Sequence, residues 1–350
     1  GNYSYKNIYL VDVSMRTDGS SEFGSDRRFA TFYSTGVGIN MHNYRFLVDN
    51  RVFSQLRIRG TWGETGKVNY PPFAARHTYT VQAGAWHTTG MGATLTYMGN
   101  EDLSWEKTST LNLGLDMTLF KRYTLNLSWY DKITNDLITD VSIVPSSGFT
   151  SYKDNMGKVR NRGVEVNLNV NAIQKQDWGL NVFFRASHNK NRIMEISDAL
   201  KEYNQKVDDY YSKYPNYNKP LLKYTEGASL TSIYAVRSLG ISPANGQEVF
   251  LDANGKVTYD WNATNQVVVG NTEPKLQGSF GFNFRWKRWT LFTAALFETG
   301  GDLYNSTLVD NVECADIWKS NVDKRVYTQR WLEPGDVAPL KSIKDRYQVT

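Results

Sequence analysis

The side chains able to do chemistry are few and poorly spaced for it. His42, His77, His87 and His188 are the four histidines, and none stands in HExxH or another compact spacing that would hold a metal. Cys314, the one cysteine, has no nearby Cys or His to share a metal and cannot form an intrachain disulfide. The run Asp252-Ala253-Asn254-Gly255-Lys256 superficially matches a calcium loop. Gly255 falls at the wrong step and no Glu supplies a bidentate ligand, so a tight turn is expected. Thr61-Trp62-Gly63-Glu64-Thr65-Gly66-Lys67 departs from a phosphate loop, with Val68 where the hydroxyl belongs. The acid pairs Glu101-Asp102 and Asp208-Asp209 lack a second group, and a glycosidase needs two separated carboxylates flanking its substrate. No catalytic, metal-binding or cofactor-binding residue is nominated, no cofactor is expected, and the chain does not read as an enzyme.

What remains is polar side chains in strict alternation with apolar ones. Val164, Val166, Leu168, Val170 and Ala172 alternate with Glu165, Asn167, Asn169 and Asn171. A period of two with one apolar and one polar side is a strand wetted on one face. The pattern recurs at Leu111 to Leu119, at Leu56 to Trp62, and at Gly278 to Trp286, where Phe280, Phe282 and Phe284 form a bulky row. Arg57, Arg59, Glu165 and Arg185 then stand on the wet side, where they hydrate and tune a passage, and substrate contacts stay unassigned. Tyr203, Tyr210, Tyr211 and Tyr214 lie in a polar, helix-compatible stretch from 197 to 214 and offer stacking surface.

Bulk properties agree with such a wall. Aromatic residues make up 14% of the 350 residues beside 27 glycines, a mix suited to strands, tight turns and interfacial rings. No run of about eighteen apolar residues exists, so helical membrane spans are excluded, but strands need only every second residue apolar. Lys+Arg 40 against Asp+Glu 35 gives +5, scattered along the sequence rather than collected in a stripe, so no nucleic-acid partner is expected.

Ten spanning strands are expected. The first runs from Tyr5 to Arg16 and the second from Thr31 to Met41, with a third from Gln55 to Gly63. Lys107 to Phe120 and Tyr123 to Ile133 form a hairpin through Lys121-Arg122. Gly163 to Ile173 pairs with Trp178 to Asn189, and Lys275 to Trp286 with Trp289 to Glu298, before a weak last candidate from Val337 to Tyr347. Connections alternate between short turns and long excursions at about 64-106, 134-161, 190-274 and 299-336. In an outer-membrane barrel the long side is extracellular. The apolar stretch Leu230 to Ile241 is expected not to cross, because Trp178 to Asn189 and Lys275 to Trp286 already run in opposite directions. Open sheet edges in lipid leave backbone groups unpaired, so ten strands either close as a small barrel or belong to a larger one. The fold class is thus all-β, part of a large antiparallel transmembrane β-barrel.

Local phrases carry a family resemblance. Arg16-Thr17-Asp18-Gly19-Ser20-Ser21-Glu22-Phe23-Gly24 comes first, then Arg59-Gly60-Thr61-Trp62-Gly63-Glu64-Thr65-Gly66. Gly99-Asn100-Glu101-Asp102-Leu103-Ser104-Trp105-Glu106-Lys107-Thr108 and Asn155-Met156-Gly157-Lys158-Val159-Arg160-Asn161-Arg162-Gly163-Val164-Glu165 follow in order. Together they resemble the C-terminal part of the β-barrel of SusC/RagA-type TonB-linked outer-membrane transporters of Bacteroidota. The resemblance implies a whole protein of about twenty-two strands, of which residues 1-350 are a partial barrel without the plug domain. It implies TonB-dependent import of oligosaccharides or peptides across the cell outer membrane. A SusD-like surface lipoprotein would be a partner, and the TonB complex would act through the missing N-terminal part. A surface glycan or peptide receptor without transport is the alternative. The quoted glycines would permit close backbone approach, and Trp105 would pack or anchor an aromatic level.

Overall fold

A computed structural model describes residues 1–20, 28–48, 50–67, 76–100, 103–142, 149, 151–155, 157–214, 221, 223–319 and 321–345. The chain divides into two units, one of Gly1–Lys201, Thr225–Gly227 and Pro274–Gly300, the other of Glu202–Tyr224, Ala228–Glu273 and Gly301–Thr350.

The first unit is a wall. Ten strands form one antiparallel sheet in chain order. They are β1 (Asn2–Tyr5), β2 (Tyr9–Gly19), β3 (Phe29–Asn40), β4 (Phe53–Lys67) and β5 (Glu106–Leu119), then β6 (Tyr123–Asn135), β7 (Gly157–Gln174), β8 (Trp178–Ile196), β9 (Leu276–Trp286) and β10 (Trp289–Thr299). The order starts at β1 and ends at β10 without joining them, so these strands do not close on themselves as a small barrel. Register carries a single row across the whole sheet: Tyr5, Tyr9, Ile39, Ile58, Leu115, Leu127, Val166, Ala186, Gly278 and Phe297. All but Gly278 present a carbon-rich side chain, and every one lies on the same face. Along β7 the apolar set from Val164 to Ala172 covers eight steps, about 26 Å at ~3.3 Å each, which suits a hydrocarbon layer crossed at a tilt.

Backbone turns set the wall's first strands differently from the sequence expectation. Tyr5 to Arg16 is not one strand but the hairpin β1–β2, because Lys6 (φ 50) and Asn7 (φ 53) adopt left-handed conformations. Two consecutive positive φ values turn the chain back within the three-residue link 6–8, where the Ile8 amide donates to the Tyr5 carbonyl at 3.0 Å. Phe120 (φ 50) and Lys121 (φ 57) do the same between β5 and β6. The tenth strand expected from Val337 to Tyr347 is absent. Leu340 makes one isolated bridge to Arg330, and Ile343–Asp345 is a short 3-10 turn. Pro334 and Pro339 remove backbone donors there, while Leu340 and Ile343 turn into a small core instead of alternating. Residues 346–350 lie outside the described residues.

The excursions carry their own structure. The connection after β4, expected as a plain loop, contains the hairpin Thr78–His87 with Gly90–Tyr97, and Ile138–Ser142 pairs with Ser151–Asn155 between β6 and β7. Leu230 to Ile241 does not enter the wall; Ser232–Ala235 pairs with Val267–Asn271, and Arg237–Ile241 with Glu248–Leu251. Helix α1 (Asp198–Lys213) opens on Ser197, whose hydroxyl meets the Leu200 amide at 3.4 Å. In the second unit, Val207 and Tyr211 of α1 pack on Ala263. A separate core joins Val312, Ala315, Val326 and Leu340.

Candidate functional site

The face opposite the apolar row is polar from β3 to β9. Asn40, Arg57, Asp116, Asn126, Asn167, Arg185 and Ser279 stand side by side across seven strands. Alternation alone puts them there, since each is one residue from a member of the apolar row. Arg59 Nε donates to Asp116 Oδ2 at 3.2 Å, and its Nη2 donates to Ser128 Oγ at 3.1 Å. Asn126 Nδ2 completes the carboxylate's shell by donating to Asp116 Oδ1 at 2.8 Å. The ion pair is partly shielded, with side chains 29% and 17% exposed, so it holds a fixed shape without being sealed from water.

Asparagines dominate the neighbouring strands and bond to one another. Asn161 Oδ1 accepts from Asn189 at 3.2 Å and from Asn191 at 2.9 Å. Asn181 donates to Asn171 at 2.8 Å, and Asn169 to Asn167 at 3.3 Å. Tyr130 donates its hydroxyl to Asn189 at 3.1 Å while its ring covers Gly163. A Cβ on Gly163 would stand 2.4 Å from that ring and 2.5 Å from the His188 carbonyl, so Gly163 is there to let the ring lie flat on the backbone. Arg59 lies over Gly114 in the same manner.

All four polar-face residues singled out from sequence lie on this face, but they are not one cluster. Arg59 is tied into the Asp116 network, whereas Arg57 Nε is a buried donor with no hydrogen-bond partner among the described residues. The guanidinium of Arg185 stacks on Phe183 at 5.3 Å. Glu165 sits between Ser128 and Ser187 in register. Arg57 and Arg59 border a groove of about 400 Å³ with Asp12, Gly36 and Thr61. Sequence reasoning passed over Asp116, Asn126 and Asn161. Their signal was available in the same alternation, but the partners across strands needed the register. A larger concavity of about 670 Å³ lies among Leu180, Val182, Phe184, Phe280, Phe282 and Phe284. It has no polar group to orient a ligand and belongs to the lipid-facing side.

The remaining candidates do not assemble into a reactive centre. Among the described residues no three of His, Cys, Asp and Glu converge as a metal site. His42 meets the Leu56 carbonyl, His77 accepts from the Gly99 amide, and His188 contacts the Lys275 carbonyl. The His87 side chain, Glu101 and Asp102 lie outside the described residues. Asp208 is held by Lys223 at 2.7 Å and Asp209 accepts from Gln205. Burial pushes the Cys314 thiol up to about 11, which leaves it protonated. Asp252 Oδ1 accepts from the Asn254 and Lys256 amides in a tight turn with Gly255 at φ 80. Of the four tyrosines, Tyr211 is buried and accepts from the Leu221 amide at 2.8 Å. Only Tyr210 and Tyr214 present exposed rings, 4.8 Å apart.

A lipid-facing row, a hydrogen-bonded inner face and short turns alternating with long excursions define a segment of transmembrane wall. Residues 1–322 match the family model described as TonB dependent receptor-like, beta-barrel. The chain belongs to this TonB-dependent receptor family. The TonB-dependent receptor P3 of Formosa agariphila is 25% identical over 99% of the chain and 38% of its own length. The TonB-dependent receptor SusC of Bacteroides thetaiotaomicron is 29% identical over 81% of the chain and 30% of its length. Among solved structures, that of the RagAB peptide transporter superposes with a TM-score of 0.80 at 26% identity, covering 97% of this chain and 37% of that one. The chain therefore spans less than two fifths of these relatives, and corresponds to outer-membrane barrel wall in a family of SusC/RagA-type transport proteins. No helix among the described residues is long and apolar enough to cross a membrane; the strands do so.

Proposed function

We propose that the polar face lines the route of an oligomeric nutrient, an oligosaccharide or a peptide, imported across the outer membrane by the whole transporter of which this wall is part. Energy comes from TonB through segments other than this wall, and the long excursions face the outside, where a SusD-like surface lipoprotein covers the opening. The observation that carries this reading is the superposition of 97% of the chain on a structure described as a peptide transporter. The side-chain chemistry supports the cargo class. Neutral amides and hydroxyls exchange hydrogen bonds with sugar hydroxyls or peptide groups without demanding a charge.

The test is uptake by the whole transporter. Deleting its gene abolishes growth on one class, oligosaccharides or peptides, and leaves growth on the monomers intact. Affinity purification of the full-length protein brings down a surface lipoprotein. Surface binding of labelled cargo without its entry, in cells that are otherwise competent, would identify a receptor instead and overturn the proposal.

A further inference from the structure

The fold gathers charge that the sequence scatters. The five connections at the short-turn end, residues 6–8, 41–52, 120–122, 175–177 and 287–288, hold eight Lys or Arg against Asp49 and Asp177. They sum to +6, against +5 for the entire chain, so everything else together carries one net negative charge. Lys6, Lys121 with Arg122, Lys175, and Lys287 with Arg288 stand in the four tight turns. No ion pair involves any of these six side chains among the described residues.

Two further observations give this charge a direction and a purpose. Lys6 (φ 50), Lys121 (φ 57) and Lys287 (φ 53) occupy left-handed backbone positions, which Gly or Asn takes with least strain. Lysine is poor turn chemistry in such places, and in all three it adds a positive charge to the turn. Two of the ammonium groups also lean onto rings of the apolar row's side of the sheet: Lys6 Nζ lies 5.1 Å from the Tyr5 ring and Lys287 Nζ 5.8 Å from that of Trp286. Beside them Trp178 packs on Phe284 and Trp286 at 5.5 and 5.7 Å, the aromatic level that marks a headgroup boundary.

We propose that the short-turn rim is a binding site for the phosphate headgroups of anionic phospholipids, held by turn lysines and arginines over an aromatic belt. The inference rests on the wall spanning a membrane and not on what the transporter carries. Cations at a charged lipid surface each favour anionic lipid by about fivefold, so the rim as a whole discriminates strongly.

The test uses the full-length transporter in nanodiscs of equimolar phosphatidylglycerol and phosphatidylcholine, with co-purified lipid read by native mass spectrometry. Phosphatidylglycerol is enriched at the wild-type protein by at least about fivefold, and the enrichment falls with added salt. The double variant Lys121→Asn, Lys287→Asn loses most of it while keeping heat-modifiable migration of a folded barrel, because asparagine suits the left-handed turn better than lysine does. Arg122→Gln with Arg288→Gln, which leaves the strained positions alone, lowers it as well. Equal retention of the two lipids by the wild type would overturn the proposal, as would unchanged selectivity in both folded variants. Loss of the enrichment to excess inorganic phosphate would also overturn it, in favour of a free-phosphate site. So would rim-dependent binding of an acidic protein with no lipid preference.

Discussion

The wall and the second unit are held together in opposite ways. In the wall, backbone ladders join ten strands, and large apolar side chains on the face of the apolar row, such as Leu291 (55% exposed) and Trp289 (76%), are left for lipid to cover. In the second unit the order comes from side chains buried against backbone. Arg330, 4% exposed, donates to the carbonyls of Val326, Lys341, Val312 and Glu313. Lys341, 2% exposed, lies 3.3 Å from Glu313 and 3.8 Å from Glu248. One region turns a whole apolar face outward, toward a solvent that cannot hydrogen-bond, and the other turns its apolar side chains inward. A substitution should therefore be read by which solvent its side chain meets.

The largest effect is expected at Arg330. Arg330→Ala strands four carbonyls and costs about 4 kcal/mol, seen as lost hydrogen-exchange protection across residues 309–341, with the wall strands unchanged. Next comes a pair on β7 that separates the two faces of the wall. Val166→Arg destabilises the folded barrel in bilayers by about 2–4 kcal/mol, whereas Asn167→Arg, one residue on, stays within about 0.5 kcal/mol; equal losses in reversible urea unfolding would mean that the apolar row does not face lipid. Gly163→Ala, which drives a methyl group into the Tyr130 ring and the His188 carbonyl, costs about 1–3 kcal/mol, and Tyr130→Ala recovers part of that loss.

The smallest effect is a pH dependence in the second unit. Burial holds the Glu248 carboxyl above its ordinary value of 4.5, with the Ser238 hydroxyl and Lys341 drawing it back down. The folded form therefore keeps this proton at pH values where the unfolded chain has released it. Glu248's contribution to stability is full below its unfolded value and fades as pH rises through the raised folded one. Glu248→Gln flattens that dependence in hydrogen exchange of residues 237–258, corrected for intrinsic rates. A variant with the wild-type slope would show that another group governs it.

The membrane-level part of the wall was legible because lipid on one side and water on the other impose a period of two. Val164 to Val170 and Phe280 to Trp286 announce their faces without any partner. Legibility ended where that contrast ends. Strands β7 and β8 run on to Gly157 and Ile196, several residues beyond the expected limits, and there Arg160 and Arg162 meet Asp131 on the side that carries valines lower down. With polar residues on both faces, no hydrophobic period remains to read. The Lys6-Asn7 turn was missed because lysine is a weak turn signal. The inner-face network was half legible: residue types put Arg57 and Arg59 on the polar side, but only register shows that Asp116 serves Arg59. The sequence offers the tyrosines of α1 alike as stacking surface, but a helix turns Tyr211 inward while Tyr210 beside it and Tyr214 stay out.

The asparagine pairs of the inner face have a consequence for the import route proposed above. A surface of isolated charges would grip any complementary cargo and release it slowly. Where Asn161, Asn171 and Asn167 already accept from other asparagines, a polar group arriving there gains only the difference between one neutral hydrogen bond and another, about 0.5–1.5 kcal/mol at most. On the import reading proposed above, such a patch acts like a layer of immobilised solvent, wetting what passes and retaining little of it.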